Sequence, residues 1–129
     1  MRAGRILRQI VRARIIAQVP ALTGVYDKAT EGSQYPYASL GPSYWNDESA
    51  ECIEARSIVL QIDVWHSMSN KGICEDLTDD VSAALNGWSD ETALTMHPLR
   101  VISAQVQDDP NGQDVHGIVQ VEAMVEADG

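Results

Sequence analysis

Residues 54–87 of the chain, EARSIVLQIDVWHSMSNKGICEDLTDDVSAALNG, join an alternating apolar segment to a segment of helical periodicity. In the first segment every second residue is apolar, and these positions are Ile58, Leu60, Ile62 and Val64. A period of two predicts a strand with one face in a core and the other partly available to solvent or a partner. After this strand, Ser67, Ser69 and Asn70 offer the short polar side chains that cap helix N-termini.

The second segment predicts an amphipathic helix that packs on this strand. Its apolar stripe comprises Ile73, Leu77, Val81, Ala84, Leu85 and Trp88. Its opposite face is acidic and comprises Glu75, Asp76, Asp79 and Asp80. Asn86-Gly87 marks the helix end, because glycine readily takes the left-handed conformation that terminates helices. We therefore expect the strand and the helix to form the centre of one domain.

Residues 1–19 predict a basic amphipathic helix, which Pro20 ends. Its apolar face comprises Ala3, Ile6, Leu7, Ile10, Ala13 and Ala17, and the opposite face carries Arg5, Arg8 and Arg12. Arg14 lies near the apolar edge, so its charged end must reach past apolar surface to water. The arginines are either a solvated face or a contact with acidic neighbours, including other copies of the chain. Nucleic-acid binding ranks third, because no aromatic residues interleave with them.

Three further segments complete the predicted domain. A short strand is expected over residues 23–27, and an extended edge segment over residues 35–40. Residues 41–54 predict a long loop, whose Tyr44 and Trp45 either fold back onto the domain or anchor a partner.

Residues 99–126 predict a long antiparallel hairpin around the turn at residues 108–112, with Ile102, Ala104 and Val106 on one face of its first strand. The element order α-β-β-β-α-β-β predicts an α+β fold. At 129 residues the chain fits a single domain, with a largely antiparallel sheet and both helices packed on it. Because the chain has no Phe, the core is expected to be aliphatic, with Trp65 and Trp88 as its large members.

Charge is divided unequally along the chain. The net charge is −10, but residues 1–14 contain five arginines and no acid, so the remaining body is strongly acidic. Such a body repels nucleic acid, whereas the N-terminal helix attracts acidic groups. No segment is long and apolar enough for a membrane span, and two isolated cysteines do not make a disulfide framework.

The sequence offers no motif for catalysis or for a cofactor. Cys52, His66 and Cys74 lack the closely spaced ligand pair of structural zinc sites. No nucleophile elbow, phosphate-binding loop or dinucleotide fingerprint occurs. The prediction is therefore a protein that is not an enzyme and needs no metal or cofactor.

Several short motifs, taken in order, resemble those of a known family. They are Gly24-Val25-Tyr26-Asp27, Pro36-Tyr37-Ala38-Ser39-Leu40-Gly41, Gln61-Ile62-Asp63-Val64-Trp65 with Ser67, Gly72, and residues 108–117. This arrangement resembles the tail-completion proteins of long-tailed bacteriophages, also called tail terminators or head-to-tail joining proteins, which also occur in gene transfer agents. The resemblance covers most of the chain from Gly24 onward.

The resemblance implies a virion structural protein at the junction of tail and neck, assembled in the host cytoplasm. Such proteins look like small domains that form a hexameric ring, cap the head-proximal end of the tail tube and contact the tail tube protein and a neck protein. DNA passes through the ring without specific binding. The alternatives are another connector component such as the stopper, or a small module that binds an acidic partner.

An assembly role selects residues that could contact a neighbouring chain. The expected interface combines the basic helix, exposed aromatic residues and the acidic helix face: Arg5, Arg8, Arg12, Tyr37, Tyr44, Trp45, Glu75, Asp76, Asp79 and Asp80. A ring of identical subunits uses heterologous contacts, in which one patch meets a different patch on the next copy. A basic helix on an acidic body supplies two such complementary patches.

Overall fold

The computed structural model describes residues 2–28 and 33–127. In chain order the helices and strands are α1 (Ala3–Gln18), β1 (Val25–Tyr26), β2 (Tyr37–Asp47), β3 (Ala55–Ser67), α2 (Lys71–Leu85), β4 (Thr95–Met96), β5 (Arg100–Asp108) and β6 (Asp114–Glu126). A single 3₁₀ turn, Met68–Asn70, separates β3 from α2. None of the described helices is long and apolar enough to cross a membrane.

One sheet holds all of the described strands, in the order β1-β2-β3-β6, and both β4 and β5 pair with the far edge of β6. The central pair is antiparallel and runs without interruption from Ala55 opposite Glu126 to Ser67 opposite Asp114. Only the two-residue β1 pairs in parallel, with β2. The predicted α+β class, with a largely antiparallel sheet and two helices, is confirmed.

Both helices lie on the same face of the sheet. The core-facing residues of β3 are the predicted Ile58, Leu60, Ile62 and Val64, and all four are buried. Opposite them, β6 presents Val119, Val121 and Ala123 to the same core. Helix α1 contacts β1 and β2, whereas α2 contacts β3, β6 and β5, and the two helices contact each other. The helices therefore cover opposite halves of one sheet face.

The buried stripe of α1 differs from the predicted one. Ala3, Leu7, Val11 and Ile15 are buried, Ile6 and Ile10 are only partly buried, and Ala13 and Ala17 are exposed. The buried residues are spaced four apart. Side chains at this spacing form a ridge along the helix, and such ridges pack into the grooves of neighbouring helices. Burying Val11 and Ile15 also removes more apolar surface from water than burying two alanines.

The core-facing side of α2 is centred on smaller residues than predicted. Cys74 and Thr78 are buried, whereas Ile73 is 50% exposed, which corrects its assignment to the stripe. Small side chains let α2 approach the sheet closely, and Cys74 Sγ lies 3.8 Å from the carbonyl oxygen of Val64. The expected capping bonds at the start of α2 are also absent among the described residues. There, Asn70 Nδ2 instead donates to Ser67 Oγ at 2.8 Å.

Half of the loop predicted over residues 41–54 is a strand. Residues 41–47 continue β2 along β3, and only the turn between Asp47 and Ala55 is irregular. A register shift between Leu40 and Ser43 accommodates Gly41-Pro42, because a bulge tolerates a residue that cannot donate a hydrogen bond. The loop prediction was wrong for residues 41–47, because the first half of β3 needs a partner for its backbone groups.

Two further expectations about the sheet are corrected. The predicted hairpin is confirmed, but a second register shift between Val101 and Ser103 leaves Ile102 exposed and turns Val101 toward the core. Trp65 lies on the face of the sheet that carries no helix, since it occupies an odd position of β3. Trp88 packs against the core as expected.

Candidate assembly surfaces

A cleft of about 850 Å³ separates the N-terminal half of α1 from β2 and β3. We call it the arginine cleft, because most of its polar lining is guanidinium. It is lined by Arg2, Gly4, Arg5, Ile6, Arg8, Gln9, Arg12, Asp27, Ser43, Trp45 and Arg56. The cleft thus concentrates five arginines in a chain whose net charge is −10.

Arg8 and Arg12 are committed to contacts within the chain. Arg8 donates to the carbonyl oxygens of Gly41 at 2.9 Å and Leu40 at 3.3 Å, and it pairs with Asp27 Oδ1 at 3.3 Å. Arg12 Nε donates to the carbonyl oxygen of Val25 at 2.7 Å. These bonds hold α1 on the β1–β2 edge of the sheet, where β1 pairs with β2 through only two residues.

The remaining arginines of the cleft are available for other contacts. The side chains of Arg2 and Arg5 have no hydrogen-bond or ion-pair partner within residues 2–28 and 33–127, and both residues are exposed. The Arg56 guanidinium lies 5.3 Å from the ring centre of Trp45, a cation–π contact on the cleft wall. The sequence pattern predicted Arg5 but missed Arg2 and Arg56. The role of Arg56 could have been predicted from the sequence. Arg56 occupies an even position of β3, where the following even positions are apolar and face the core.

Arg14 joins the two helices. Its Nε donates to the carbonyl oxygen of Ala84 at 2.9 Å, and its guanidinium lies 5.3 Å from the ring centre of Trp88. A cation at the C-terminal turn of α2 is favourable, because unpaired carbonyl groups give that end partial negative charge. The charged end of Arg14 therefore reaches past the apolar edge as expected, but it binds the carbonyl oxygen of Ala84 and not water.

The acidic face of α2 is solvent-exposed. Glu75, Asp76, Asp79 and Asp80 are all exposed. Glu75 and Asp79 border a shallow groove formed with residues 104–106 of β5, so this part of the face looks toward the β5 edge. Beside it, Lys71 Nζ pairs with Asp108 Oδ1 at 3.0 Å.

The three predicted interface aromatics have different environments. Tyr44 and Trp45 are 57% and 56% exposed and, as neighbours on β2, point to opposite faces of the sheet. Tyr37 instead belongs to a row of rings, with centroids 6.1 Å from Tyr26 and 6.5 Å from Trp65. Burial, followed by the charge of Tyr26, raises the pKa of Tyr37. Tyr37 thus packs within the domain, whereas the other two of these three residues, Tyr44 and Trp45, present open aromatic surface.

The family model for tail completion protein gp17 matches residues 9–126. The chain belongs to this tail completion family. A chain in the virion of a native gene transfer agent particle has the same fold, with a TM-score of 0.73 and 22% sequence identity over 90% of this chain and 94% of that one. No curated protein sequence matches significantly. The predicted resemblance is confirmed, and family membership makes the chain a structural protein of a phage-type tail.

This tail completion protein also carries a polar network on the sheet face without helices. His116 Nε2 and Asp63 Oδ1 are 2.6 Å apart, and both side chains are nearly buried. The Trp65 ring stacks on His116 with centroids 3.9 Å apart and donates through Nε1 to Ser39 Oγ at 3.1 Å. Gln61 Nε2 adds a bond to Asp63 Oδ1 at 2.8 Å. The sequence showed these residues but not their adjacency, which arises from the β3–β6 register.

The residues that could ligate a metal are scattered within the described part of the chain. In that part of the chain no group of three or more His, Cys, Asp or Glu side chains is placed to hold a metal ion. Cys74 is buried in the core, where burial raises the pKa of its thiol, whereas Cys52 is exposed in the β2–β3 turn. The two cysteines considered for zinc therefore lie in separate environments.

Proposed function

We propose that six copies of this tail completion protein form a ring that closes the head-proximal end of the tail tube and joins it to the neck. Family membership supports the tail role. The proposal of a ring rests on one observation about the domain. Its basic surface and its acidic surface lie toward opposite edges of the same sheet.

The positions of the helices explain this separation. The arginine cleft lies where α1 contacts β1 and β2, at one edge. Glu75 and Asp79 lie beside β5, at the other edge. Because the two surfaces are different and face apart, a contact between them is heterologous, and repetition of such a contact closes a ring when the rotation allows.

The same charge distribution suits a passage for DNA. Binding to DNA depends largely on lysine and arginine contacts with phosphates. If the arginines are used between subunits, the surface that remains is acidic and lets the duplex pass without adhering. One side of the ring would contact the tail tube protein and the other a neck protein, at the tail–neck junction of a long-tailed virion that assembles in the host cytoplasm.

Tail length and subunit number test this proposal together. Native mass spectrometry of the purified protein, or electron microscopy of the protein bound to tail tubes, should show a ring of six copies. Particles produced without the gene should carry tubes of uncontrolled length under the electron microscope, and supplying the protein should restore a uniform length. Tubes of normal length that fail to attach to heads would overturn the terminating role and indicate a connector such as the stopper.

A further inference from the structure

We infer that the arginine cleft of one subunit receives the acidic face of α2 from the next copy of the chain. This inference rests on the proposed ring and names the two surfaces that meet in it. It follows from the charge of the cleft, from the state of its individual arginines and from the placement of charges on the two helices.

Among residues 2–28 and 33–127, the cleft holds more positive charge than its neighbours neutralise. Within those residues the one acid in its lining is Asp27, which is already paired with Arg8. Arg2 and Arg5 also lie at the N-terminal end of α1, where unpaired amide groups already create partial positive charge. The first turn of α1 contains no acid, and its N-cap residue makes no side-chain capping bond. Cations there are unfavourable in the isolated subunit, and an incoming carboxylate would relieve this repulsion.

The acidic face of α2 offers a pair of carboxylates to these cations. Arg2 is the N-cap residue of α1 and Arg5 lies in its first turn, so both cations lie at the same helix end. Glu75 and Asp79 are four residues apart on α2, and side chains at this separation are neighbours on a helix surface, roughly 5–6 Å apart at their β-carbons. The start of α1 on one copy can therefore meet this pair of carboxylates on the next.

Trp45 supplies apolar contact area beside these ion pairs. It is 56% exposed on the cleft wall, with Arg56 packed on its ring. Tryptophan and arginine are the residues that most often dominate binding energy when they become buried at the centre of an interface. Arg8 and Arg12 hold α1 on the sheet, so Arg2, Arg5 and Arg56 are the arginines that meet the partner.

An exchange of charges between two variants tests the contact. The cleft variant carries Arg2→Glu, Arg5→Glu and Arg56→Glu, and the helix variant carries Glu75→Lys, Asp76→Lys and Asp79→Lys. Each variant alone should be monomeric, because its two surfaces now have the same sign. Mixed in equal amounts, the acidic cleft meets the basic helix and the acidic helix meets the basic cleft. The mixture should therefore restore rings in which the variants alternate, three of each in a hexamer, as native mass spectrometry can count.

Controls separate this contact from folding and from general charge effects. Circular dichroism should show that both variants melt cooperatively, within a few degrees of wild type. Replacing the same three arginines by lysine keeps the charge and should preserve the ring. If the free protein is monomeric, the same mixtures are examined on tail tubes.

The outcomes distinguish the inference from the proposed function. If the cleft variant forms wild-type rings, or the mixture fails to recover them while both variants are folded, the inference is overturned and the ring proposal stands. A cleft variant that assembles normally but loses affinity for duplex DNA also overturns it, since the cleft then faces the genome. If the wild-type chain never forms a ring, even on tubes, both proposals fail.

Discussion

Gly117 of β6 lies directly beneath Thr78 of α2, so closely that a β-carbon at residue 117 would overlap Thr78 Oγ1 and lie 3.2 Å from Thr78 Cβ. Thr78 is held in place, because its Oγ1 donates to the carbonyl oxygen of Cys74 at 2.7 Å. The absence of a side chain at Gly117 therefore lets the central helix settle onto the central strands.

Gly117→Ala should destabilise the protein by about 1–3 kcal/mol, the usual cost of forcing extra volume into a packed core. Chemical denaturation measures this loss. Gly72→Ala is the matched control, because nothing lies within 4 Å of its added methyl group. In the Gly117→Ala background, Thr78→Ala should recover part of the loss. Equal stability of the Gly117 and Gly72 variants would contradict the close contact.

Leu77 and Ile73 provide a test of which side of α2 is buried. Leu77 is 4% exposed and Ile73 is 50% exposed, although both were predicted to be in the apolar stripe. Leu77→Asp should cost about 4 kcal/mol or more and unfold the domain, because it buries an unpaired charge. Ile73→Asp should change the thermal midpoint by only a few degrees. A folded Leu77→Asp protein would show that the wrong face has been assigned to the core.

The arginines of α1 should divide into two classes. Arg8→Ala and Arg12→Ala should each lower stability by about 1.5–3 kcal/mol, the range for hydrogen bonds made by charged groups, because they remove bonds to the β1–β2 backbone. Arg5→Ala should change stability by less than about 0.5 kcal/mol, as expected for an exposed residue without a partner. Urea unfolding of the three variants checks this, and similar values for all of them would refute the distinction.

Asp63 and His116 should be energetically coupled. A double-mutant cycle with Asp63→Asn and His116→Gln should give a coupling energy of about 0.5–3 kcal/mol, as for residues in direct contact. Because His116 stacks on Trp65, His116→Gln should also shift the tryptophan fluorescence, with Trp45→Leu and Trp88→Leu together as the background that isolates the Trp65 signal. Additive effects of the two substitutions would show that the 2.6 Å contact contributes no stability.

Hydrogen exchange should separate strand from turn in the β2–β3 hairpin. Alternate amides of residues 43–47, those that donate to β3, should be protected in the isolated protein, because β2 pairs with β3 through Asp47. Amides of the exposed residues 51–53 should exchange much faster. Uniform fast exchange over residues 41–54 would instead indicate a loop throughout this segment.

The sequence by itself determined the kinds of elements and most of their order. Periods of two and of 3.6 predicted β3, α2, α1 and the C-terminal hairpin, because such patterns depend only on which residues share a face of the local backbone. The charge division and the family resemblance are likewise properties of the linear chain. On these grounds the α+β class and the tail completion family could be predicted from the amino-acid sequence alone.

Only the tertiary structure decided which residues within those elements became buried or exposed. Residues 41–47 became a strand because β3 offered them backbone partners, although their own composition favours a loop. Ile73 became exposed because Thr78 and Gly117 set how α2 rests on the sheet. Arg8 and Arg12 became structural, and Arg2 and Arg56 joined the cleft, because carbonyl groups and cleft walls come from segments distant in sequence. A local period cannot encode such contacts, since they depend on the register and packing of elements that meet only in the folded chain.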